Sequence, residues 1–438
     1  MVSPTADGVL SDPINWQLET GDCLLSSGRQ FSAFSFQFLN DMISIATALK
    51  IIEGEIRPLG ATKAALDESV GCVLAQDIVA DTDLPPFDRS QMDGFAVIAA
   101  DTVDSPVSLK IVGESAAGNG WNGTLKREQA VRIMTGARVP DGADAVQRVE
   151  LTREKNGFVE ITEPVKPATA IVRRGAEIKR GETIFKSGEI ITENMIAALA
   201  AFSYAKVKVG KRPSVAILGT GSEIVEIDKK PGRDQIRNSN SVMLDVMCQR
   251  FGGETTALPI VRDEISDLKF QISDCAKRAD ILIITGGVSV GKYDHTRAAL
   301  SELGAEIFFD KVRLKPGKPA VFARLRKTLI FGLPGNPVSA AVTFHLFVRK
   351  AMLQMQGASA TELRNGNAVL AADAKAARER DTYLPSRLET NKLGQLVAFP
   401  LKWQGSSDFI GFARADSLIF LPKGAHLKKS EVAEIAFL

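Results

Sequence analysis

A glycine-rich loop in the second half of the chain has the composition of an anion-binding loop. The segment Gly-Gly-Val-Ser-Val-Gly-Lys (286–292) follows a predicted strand and fits the phosphate-binding pattern G-x-x-x-x-G-K. Tyr293 stands where that pattern requires Ser or Thr to bind Mg²⁺, which argues against a P-loop nucleotide hydrolase. The glycines still allow backbone N–H groups to approach an anion closely. A tight strand-to-helix turn without a ligand is the alternative.

A row of basic residues follows this loop in the sequence. Residues 311–315 read Lys-Val-Arg-Leu-Lys, so in a strand the three cations would share one face. Pro316 and Pro319 exclude a helix in the next segment and hold Lys318 nearby. A solvated sheet edge is the usual meaning of such a row. Its position between two loops that are predicted to face a ligand favours binding of a polyanionic group instead.

Several carboxylates lie on separate loops. Each one alone is better explained as a turn or cap residue than as a ligand. If they converge, their hard oxygen atoms would favour a cation such as Mg²⁺. The carboxylates in question are Asp88, Asp93, Glu177, Glu223, Asp263 and Asp294.

The elements that must position these residues change in character along the chain. Between residues 212 and 355, short apolar runs alternate with helical stretches, which predicts a doubly wound parallel sheet with both faces covered. Three loops would leave the carboxyl ends of its strands, where such sheets bind ligands: Gly-Thr-Gly, Thr-Gly-Gly and Gly-Leu-Pro-Gly-Asn-Pro. Residues 42–205 predict a helix followed by an irregular β-rich region, and residues 364–438 predict a small β domain.

The overall composition argues against several classes of protein. The 438 residues include 54 Lys and Arg against 52 Asp and Glu, a balance that does not favour nucleic-acid or membrane-surface binding. Four separated cysteines and three unclustered histidines argue against zinc and iron–sulfur sites. No apolar run reaches membrane-spanning length, and we expect a cytoplasmic protein. Residues 1–41 show no helical period and are expected to be poorly ordered or non-native, with a docking tail as the alternative.

Eight segments in order resemble the molybdopterin molybdotransferase family, the molybdenum insertases related to the C-terminal domain of gephyrin. The resemblance covers about 42–438, and the segments are PPFDRSQMDGFAV, VRIMTGARVPDGADAV, VRRGAEI, LGTGSEI, IRNSNS, TGGVSVGKYDHT, KVRLKPGKP and FGLPGNPVSA. It implies a multidomain α/β plus β architecture: a dimerisation part, a β-rich insertion, a central molybdopterin-binding α/β domain and a C-terminal β domain. It also implies insertion of molybdenum from molybdate into adenylylated molybdopterin, with Mg²⁺-assisted release of AMP.

The resemblance further implies roles for individual residues. Asp93, Glu223 and Asp294 would be catalytic, and Glu177 and Asp263 would bind the metal. Asp93, Thr135 and Glu177 would reach the site from the second protomer of a homodimer. The substrate-binding residues would be Thr135, Thr220, Gly286, Gly287, Ser289, Lys311, Lys315, Lys318, Pro334, Pro337 and Ser406.

Two departures from the family pattern bear on metal binding. Ala176-Glu177 stands where the family usually has Glu-Asp, and Asn238 stands where Asp is frequent. Two other functions remain open from the sequence. One is the preceding molybdopterin adenylyltransferase, which is also an expected upstream partner, but that family has a Gly-Gly-Thr-Gly loop in a single compact domain. The other is a non-catalytic scaffold, which would tolerate loss of the cation row that this chain keeps.

Overall fold

The computed structural model of the protein describes residues 42–262, 264–287, 295–401 and 405–438. The predicted N-terminal extension, residues 1–41, lies outside the described residues. Within the described ranges, no helix is both long and apolar enough to cross a membrane. The domain limits expected from the sequence, 42–205, 212–355 and 364–438, stay predictions.

The N-terminal part begins with a helix, α1 (Ile45–Glu55), as the sequence predicts. Ser44 caps it, because its Oγ accepts a hydrogen bond from the N–H of Thr47 at 3.0 Å. Its buried residues, Ile45, Ala48 and Ile52, pack in the core of the central part rather than in that of the β-rich region. The first helix therefore supports the sheet that carries the site loops.

The rest of the N-terminal part is rich in short strands. The largest sheet has the order β7-β4-β6-β5-β9-β8, and β1 pairs antiparallel with β12. These pairings confirm the predicted β-rich region. The elements are β1 (Ala61–Ala65), β2 (Ile78–Val79), β3 (Arg89–Ser90), β4 (Gly94–Val97), β5 (Val107–Ser115), β6 (Gln129–Ile133), β7 (Ala145–Arg148), β8 (Thr152–Lys155), β9 (Phe158–Ile161), β10 (Ile171–Val172), β11 (Thr183–Phe185), α2 (Glu193–Ala201) and β12 (Lys206–Gly210), with 3₁₀ turns at Ala99–Thr102 and Val149–Leu151.

A six-stranded sheet between helices forms the central part. Its order is β16-β13-β17-β21-β20-β18. Its elements, in chain order, are β13 (Ser214–Gly219), β14 (Ile224–Val225), β15 (Ile236–Arg237), α3 (Ser239–Arg250), β16 (Glu254–Ala257), α4 (Ile265–Cys275), β17 (Ile281–Thr285), α5 (His295–Glu302), β18 (Glu306–Phe309), β19 (Leu314–Lys315), β20 (Val321–Leu325), β21 (Thr328–Leu333), α6 (Pro337–Thr343), a π-helical segment (Phe344–Val348) and α7 (Arg349–Met355).

Alternate residues of the central strands enter two separate cores. Ile281 and Ile283 of β17 pack with α1, α3, α6 and α7, whereas Leu282 and Ile284 pack with α4 and α5. Both faces of the sheet are therefore covered, which is why its strands are continuously apolar. This arrangement confirms the predicted doubly wound α/β domain.

The expectation of a fully parallel sheet is wrong at one edge. Strands β16, β13, β17 and β21 are parallel, but β20 and β18 are antiparallel to their neighbours. Arg326 and Lys327 alone connect β20 to β21, and Arg326 has a positive φ of 59°. A two-residue connection can join only antiparallel strands, since a parallel pair needs a long crossover.

The C-terminal part is a small β structure closed on itself. Its sheet runs β24-β25-β22-β28-β26, and the pairing of β26 with β24 closes it. Strand β19, which contains part of the cation row, adds to β24 in parallel and so joins this sheet rather than the central one. The elements are β22 (Asn365–Leu370), β23 (Ala374–Lys375), β24 (Asp381–Thr390), β25 (Leu396–Pro400), α8 (Phe409–Phe412), β26 (Ser417–Leu421), β27 (His426–Leu427) and β28 (Val432–Phe437).

Candidate active site

Two adjoining cavities lie where the central strands β13, β17 and β21 end. Backbone hydrogen bonds hold the three strand ends together, from Thr220 N to Thr285 O at 3.0 Å and from Gly286 N to Leu333 O at 3.3 Å. The two cavities have volumes of about 490 and 550 Å³, and Asn336 lines both. The carboxyl edge of the parallel strands is thus the candidate site, as the three loops predict.

We call the first cavity the cation cavity, after the three basic side chains in its wall. Among the described residues that line it there is no carboxylate. Three like charges in one concave wall create a positive potential that an anion relieves. The cavity is therefore suited to a small polyanion. It is lined by Lys315, Pro316, Gly317, Lys318, Pro319, Pro334, Asn336, Ser339, Arg380, Gly405 and Ser406.

The local structure of the cation row explains how its lysines reach this cavity. Val312 and Leu314 are buried, whereas Lys315 is exposed, which is the alternation that the sequence predicts. At Gly317, where φ is 118°, an added Cβ would lie 2.6 Å from Cγ2 of Thr343. Only glycine allows the chain to turn this close to α6 and present Lys318 beside Lys315.

We call the second cavity the apolar cavity, because hydrophobic and proline side chains form much of its wall. Polar groups contributed by Thr220, Asn238, Asn240 and Thr285 are buried beneath it. Such a combination of apolar walls and a few polar groups is typical of a pocket for a heterocyclic ligand. The lining residues are Thr220, Glu223, Ile224, Pro231, Gln235, Ile236, Arg237, Asn238, Ser239, Asn240, Thr285, Gly286, Gly335, Asn336, Pro337, Ser407 and Phe409.

A buried asparagine fixes the floor of the apolar cavity. Asn240 Nδ2 donates to Thr285 Oγ1 at 2.9 Å and to the carbonyl of Gly335 at 2.8 Å. It thereby connects the loops after β17 and β21. At Gly286, where φ is 97°, an added Cβ would lie 2.1 Å from the carbonyl oxygen of Thr220, so this position accepts only glycine.

The departure at Asn238 has a structural explanation. Its Oδ1 accepts a hydrogen bond from the N–H of Ser241 at 3.2 Å and caps α3. Asn and Asp are about equally effective at this position of a helix. The exchange therefore keeps the start of α3 and removes one negative charge beside the apolar cavity.

The described residues do not form a magnesium site. Among the described residues that line either cavity, Glu223 is the single carboxylate, and no group of three or more His, Cys, Asp or Glu converges within the described ranges. Mg²⁺ needs an octahedral set of oxygen ligands, of which one carboxylate supplies too few. The predicted metal ligand Asp263 lies outside the described residues.

Three residues expected from the N-terminal half are not part of the lining of the cavities in their own chain. Asp93 Oδ1 accepts hydrogen bonds from the N–H and Oγ1 of Thr135 at 2.7 and 2.8 Å, which lower the pKa of Asp93. Glu177 pairs with Arg89 at 3.0 Å. None of the three lines either cavity. Their contribution from a second protomer stays a prediction.

The other predicted residues divide into four groups. Thr220, Glu223, Gly286 and Pro337 line the apolar cavity, and Lys315, Lys318, Pro334 and Ser406 line the cation cavity. Lys311 and Gly287 are described but line neither cavity. Ser289 and Asp294 lie outside the described residues.

Three polar residues that line the cation cavity were not predicted from the sequence. Ser339 and Asn336 lie in the quoted segment FGLPGNPVSA, so their position in the loop was a usable signal. Arg380 precedes β24 in an unremarkable run of charged residues. Only the pairing of β19 with β24 brings it beside Lys315.

Three descriptions of protein families match successive parts of the chain. The MoeA N-terminal region (domain I and II) matches residues 43–203, and the probable molybdopterin binding domain matches residues 216–354. The MoeA C-terminal region (domain IV) matches residues 367–438. The second and third matches together include all the described residues that line the two cavities.

Individual relatives match over most of their length. The chain is 33% identical over 387 residues to the molybdopterin molybdenumtransferase of Staphylococcus aureus strain COL, which covers 87% of this chain and 92% of the relative. The chain is also 33% identical, over 386 residues, to the molybdopterin molybdenumtransferase of Staphylococcus epidermidis strain ATCC 12228, with the same coverage of both chains. The crystal structure of the molybdopterin biosynthesis moeA protein from Pyrococcus horikoshii OT3 is 29% identical, with a TM-score of 0.79 over 91% of this chain and 100% of that one.

Proposed function

The chain belongs to the MoeA family of molybdopterin molybdenumtransferases, enzymes of molybdenum cofactor biosynthesis, and we propose that it inserts molybdenum from molybdate into adenylylated molybdopterin. AMP is released in the same reaction, which completes the cofactor. The observation that carries this proposal is the pair of adjoining cavities. One is suited to an oxyanion and the other to a heterocycle, and they share a wall at Asn336.

In this proposal the cation cavity binds molybdate. The ammonium groups of Lys315 and Lys318 and the guanidinium of Arg380 donate charge-assisted hydrogen bonds to its oxygen atoms. These cations offset the charge that would otherwise repel a second anion from the neighbouring cavity. They also stabilise negative charge on the molybdate oxygen that takes up the two thiol protons and leaves as one water when the two dithiolene sulfurs bind molybdenum.

The apolar cavity binds the pterin and the adenylyl group in the same proposal. The absence of a side chain at Gly286 lets the loops after β13 and β17 lie against each other beneath the ligand, and Asn240 holds the surrounding loops in place. We assign Glu223 to the cleavage of the adenylyl bond: its carboxylate accepts a proton from the water that attacks the adenylyl phosphorus, the bond from that phosphorus to the molybdopterin phosphate breaks, and AMP leaves.

A reconstitution assay tests the proposal. Purified protein is incubated with adenylylated molybdopterin and molybdate, and we expect equimolar AMP and active cofactor, measured by activation of a molybdenum-free apoenzyme. Protein that yields neither product, while an authentic insertase works in parallel, would contradict the proposal. Formation of adenylylated molybdopterin from ATP and molybdopterin would instead identify the preceding adenylyltransferase reaction.

A further inference from the structure

We propose that Asn336 is a positioning residue that couples the occupancy of the two cavities. It lines both the cation cavity and the apolar cavity and so lies where the two adjoin. In the proposal the side-chain amide of Asn336 turns between a hydrogen bond to Ser406 and a hydrogen bond to the bound oxyanion. The inference rests on the proposed function and adds to it a path between the two bound substrates.

The hydrogen bonding of Asn336 is unusual for its position. The residue is the N-cap of α6, where an Asn side chain normally accepts a hydrogen bond from the first turn and contributes about 1 kcal/mol. Its side chain makes no such bond, and Nδ2 instead donates to Ser406 Oγ at 2.8 Å. Asn238, at the start of α3, does cap its helix. The amide of Asn336 therefore serves another purpose than helix stability.

The contact with Ser406 joins two parts of the molecule at the boundary of the cavities. Ser406 lines the cation cavity, and the next residue, Ser407, lines the apolar cavity. The carbonyl of Ser406 also accepts the N–H of Val338 at 3.2 Å, so the backbone of this segment is fixed on α6. Pro337 restricts the backbone next to Asn336. Any change at this wall is therefore confined to the two side chains.

An oxyanion in the cation cavity competes with the Ser406 hydroxyl for the amide N–H of Asn336. A charged acceptor forms the stronger hydrogen bond, about twice that of a neutral one. When the amide turns to the oxyanion, the wall toward the apolar cavity changes shape. A ligand that prefers the changed wall must then raise the affinity for the oxyanion, because such coupling is reciprocal.

The test measures the Kd of molybdate by isothermal titration calorimetry, with and without saturating adenylylated molybdopterin under non-turnover conditions at low temperature. For the wild-type protein we expect the second ligand to lower this Kd about fivefold or more. In Asn336→Ala the Kd of molybdate alone should rise, because one donor to the oxyanion is lost, and the ratio of its Kd values without and with adenylylated molybdopterin should fall below about twofold. Asn367→Ala, at an exposed position of β22, is the matched control, and in it adenylylated molybdopterin should lower the Kd of molybdate as much as in the wild type.

Two results would overturn the inference. One is wild-type protein that binds both ligands without coupling, and the other is an Asn336→Ala protein that keeps the coupling. If Asn336→Ala does not fold, Ser406→Ala removes the same hydrogen bond from its other side and should weaken the coupling equally. Wild-type protein that binds neither ligand would contradict the proposed function itself, together with this inference.

Discussion

Single side chains divide the candidate site into two chemically different halves. Lys315, Lys318 and Arg380 give one cavity its positive charge, and Glu223 contributes the carboxylate of the other. A chain with a net charge of only +2 thus builds a strongly polar site, because the cations are collected in one place. Composition alone averages such a local excess away.

The first prediction concerns the charge of the cation cavity. Lys315→Ala removes one charged donor to the oxyanion, a loss of about 1.5 to 3 kcal/mol that corresponds to a 10- to 100-fold higher Kd for molybdate. Calorimetric titration measures it. Lys375→Ala, at an exposed position of β23, is the control and should bind molybdate as the wild type does. An unchanged affinity in Lys315→Ala would show that the row is only a solvated face.

The second prediction concerns the contact at Gly286. Gly286→Ala should abolish ligand binding in the apolar cavity, because its Cβ would lie 2.1 Å from Thr220 O and push the loops apart. Gly304→Ala is matched to it, since Gly304 also has a positive φ, of 71°, but nothing lies within 4 Å of an added Cβ. The Kd of adenylylated molybdopterin is measured for both variants. Both carry the backbone strain of a positive φ, but only Gly286→Ala also has the steric contact, so the difference between the two Kd values reports that contact. Equal losses in the two would contradict the steric explanation.

At the scale of elements, local sequence predicted the loops better than the sheet edge. Apolar runs followed by glycines identified the ends of β13, β17 and β21, because burial on both faces forces a continuous apolar strand. The antiparallel edge was missed, since β20 and β18 are apolar in the same way. The short connection at Arg326 and Lys327 was the local signal that could have shown it.

The third prediction concerns the π-helical segment between α6 and α7. Burial, with Arg349 and Arg250 nearby, lowers the pKa of His345 to about 4. In the unfolded chain the pKa is about 6.5, so protonation favours unfolding as the pH falls below that value. The free energy of unfolding should therefore fall by about 2 to 3 kcal/mol when the pH is lowered from 7 to 4.5, because of His345 alone. Above pH 7, His345 should not change the free energy of unfolding.

Urea unfolding at both pH values measures this effect. His345→Gln should lose less stability than the wild type over the same pH change, because Gln does not titrate. Asn367→Gln, at an exposed position of β22, is the control and should show the pH dependence of the wild type. Identical pH dependence in His345→Gln and the wild type would show that the folded protein tolerates a charge at this position.

At the scale of the whole molecule, the C-terminal β structure completes the site. It contributes Arg380 and Ser406 to the cation cavity and Phe409 to the apolar cavity. The N-terminal part contributes no lining residue from its own chain among those described. Asp93 and Thr135 nevertheless form a tight hydrogen-bonded pair there. We expect this pair to act in the site of a second protomer.

The fourth prediction tests this sharing by complementation. Asp93→Asn and Lys315→Ala should each be inactive, but their coexpression should restore about a quarter of wild-type activity, since half the dimers are mixed and each has one intact site. Insertase activity of the copurified mixture measures it. Asp93→Asn with Thr135→Ala is the control and should stay inactive, because both changes lie in the same half. No restoration in the first mixture would place all the catalytic residues in one chain.

The sequence by itself determined the loops, the cation row and the family resemblance. These depend on local rules: glycine and proline set the backbone, and alternation of side chains sets the exposed face of Lys315. Only the tertiary structure decided which of these residues meet. Arg380, Ser406 and Lys315 are distant in the chain, and no local pattern relates them; they converge because β19 leaves the central sheet to pair with β24. The wall at Asn336 likewise exists only through its contact with Ser406.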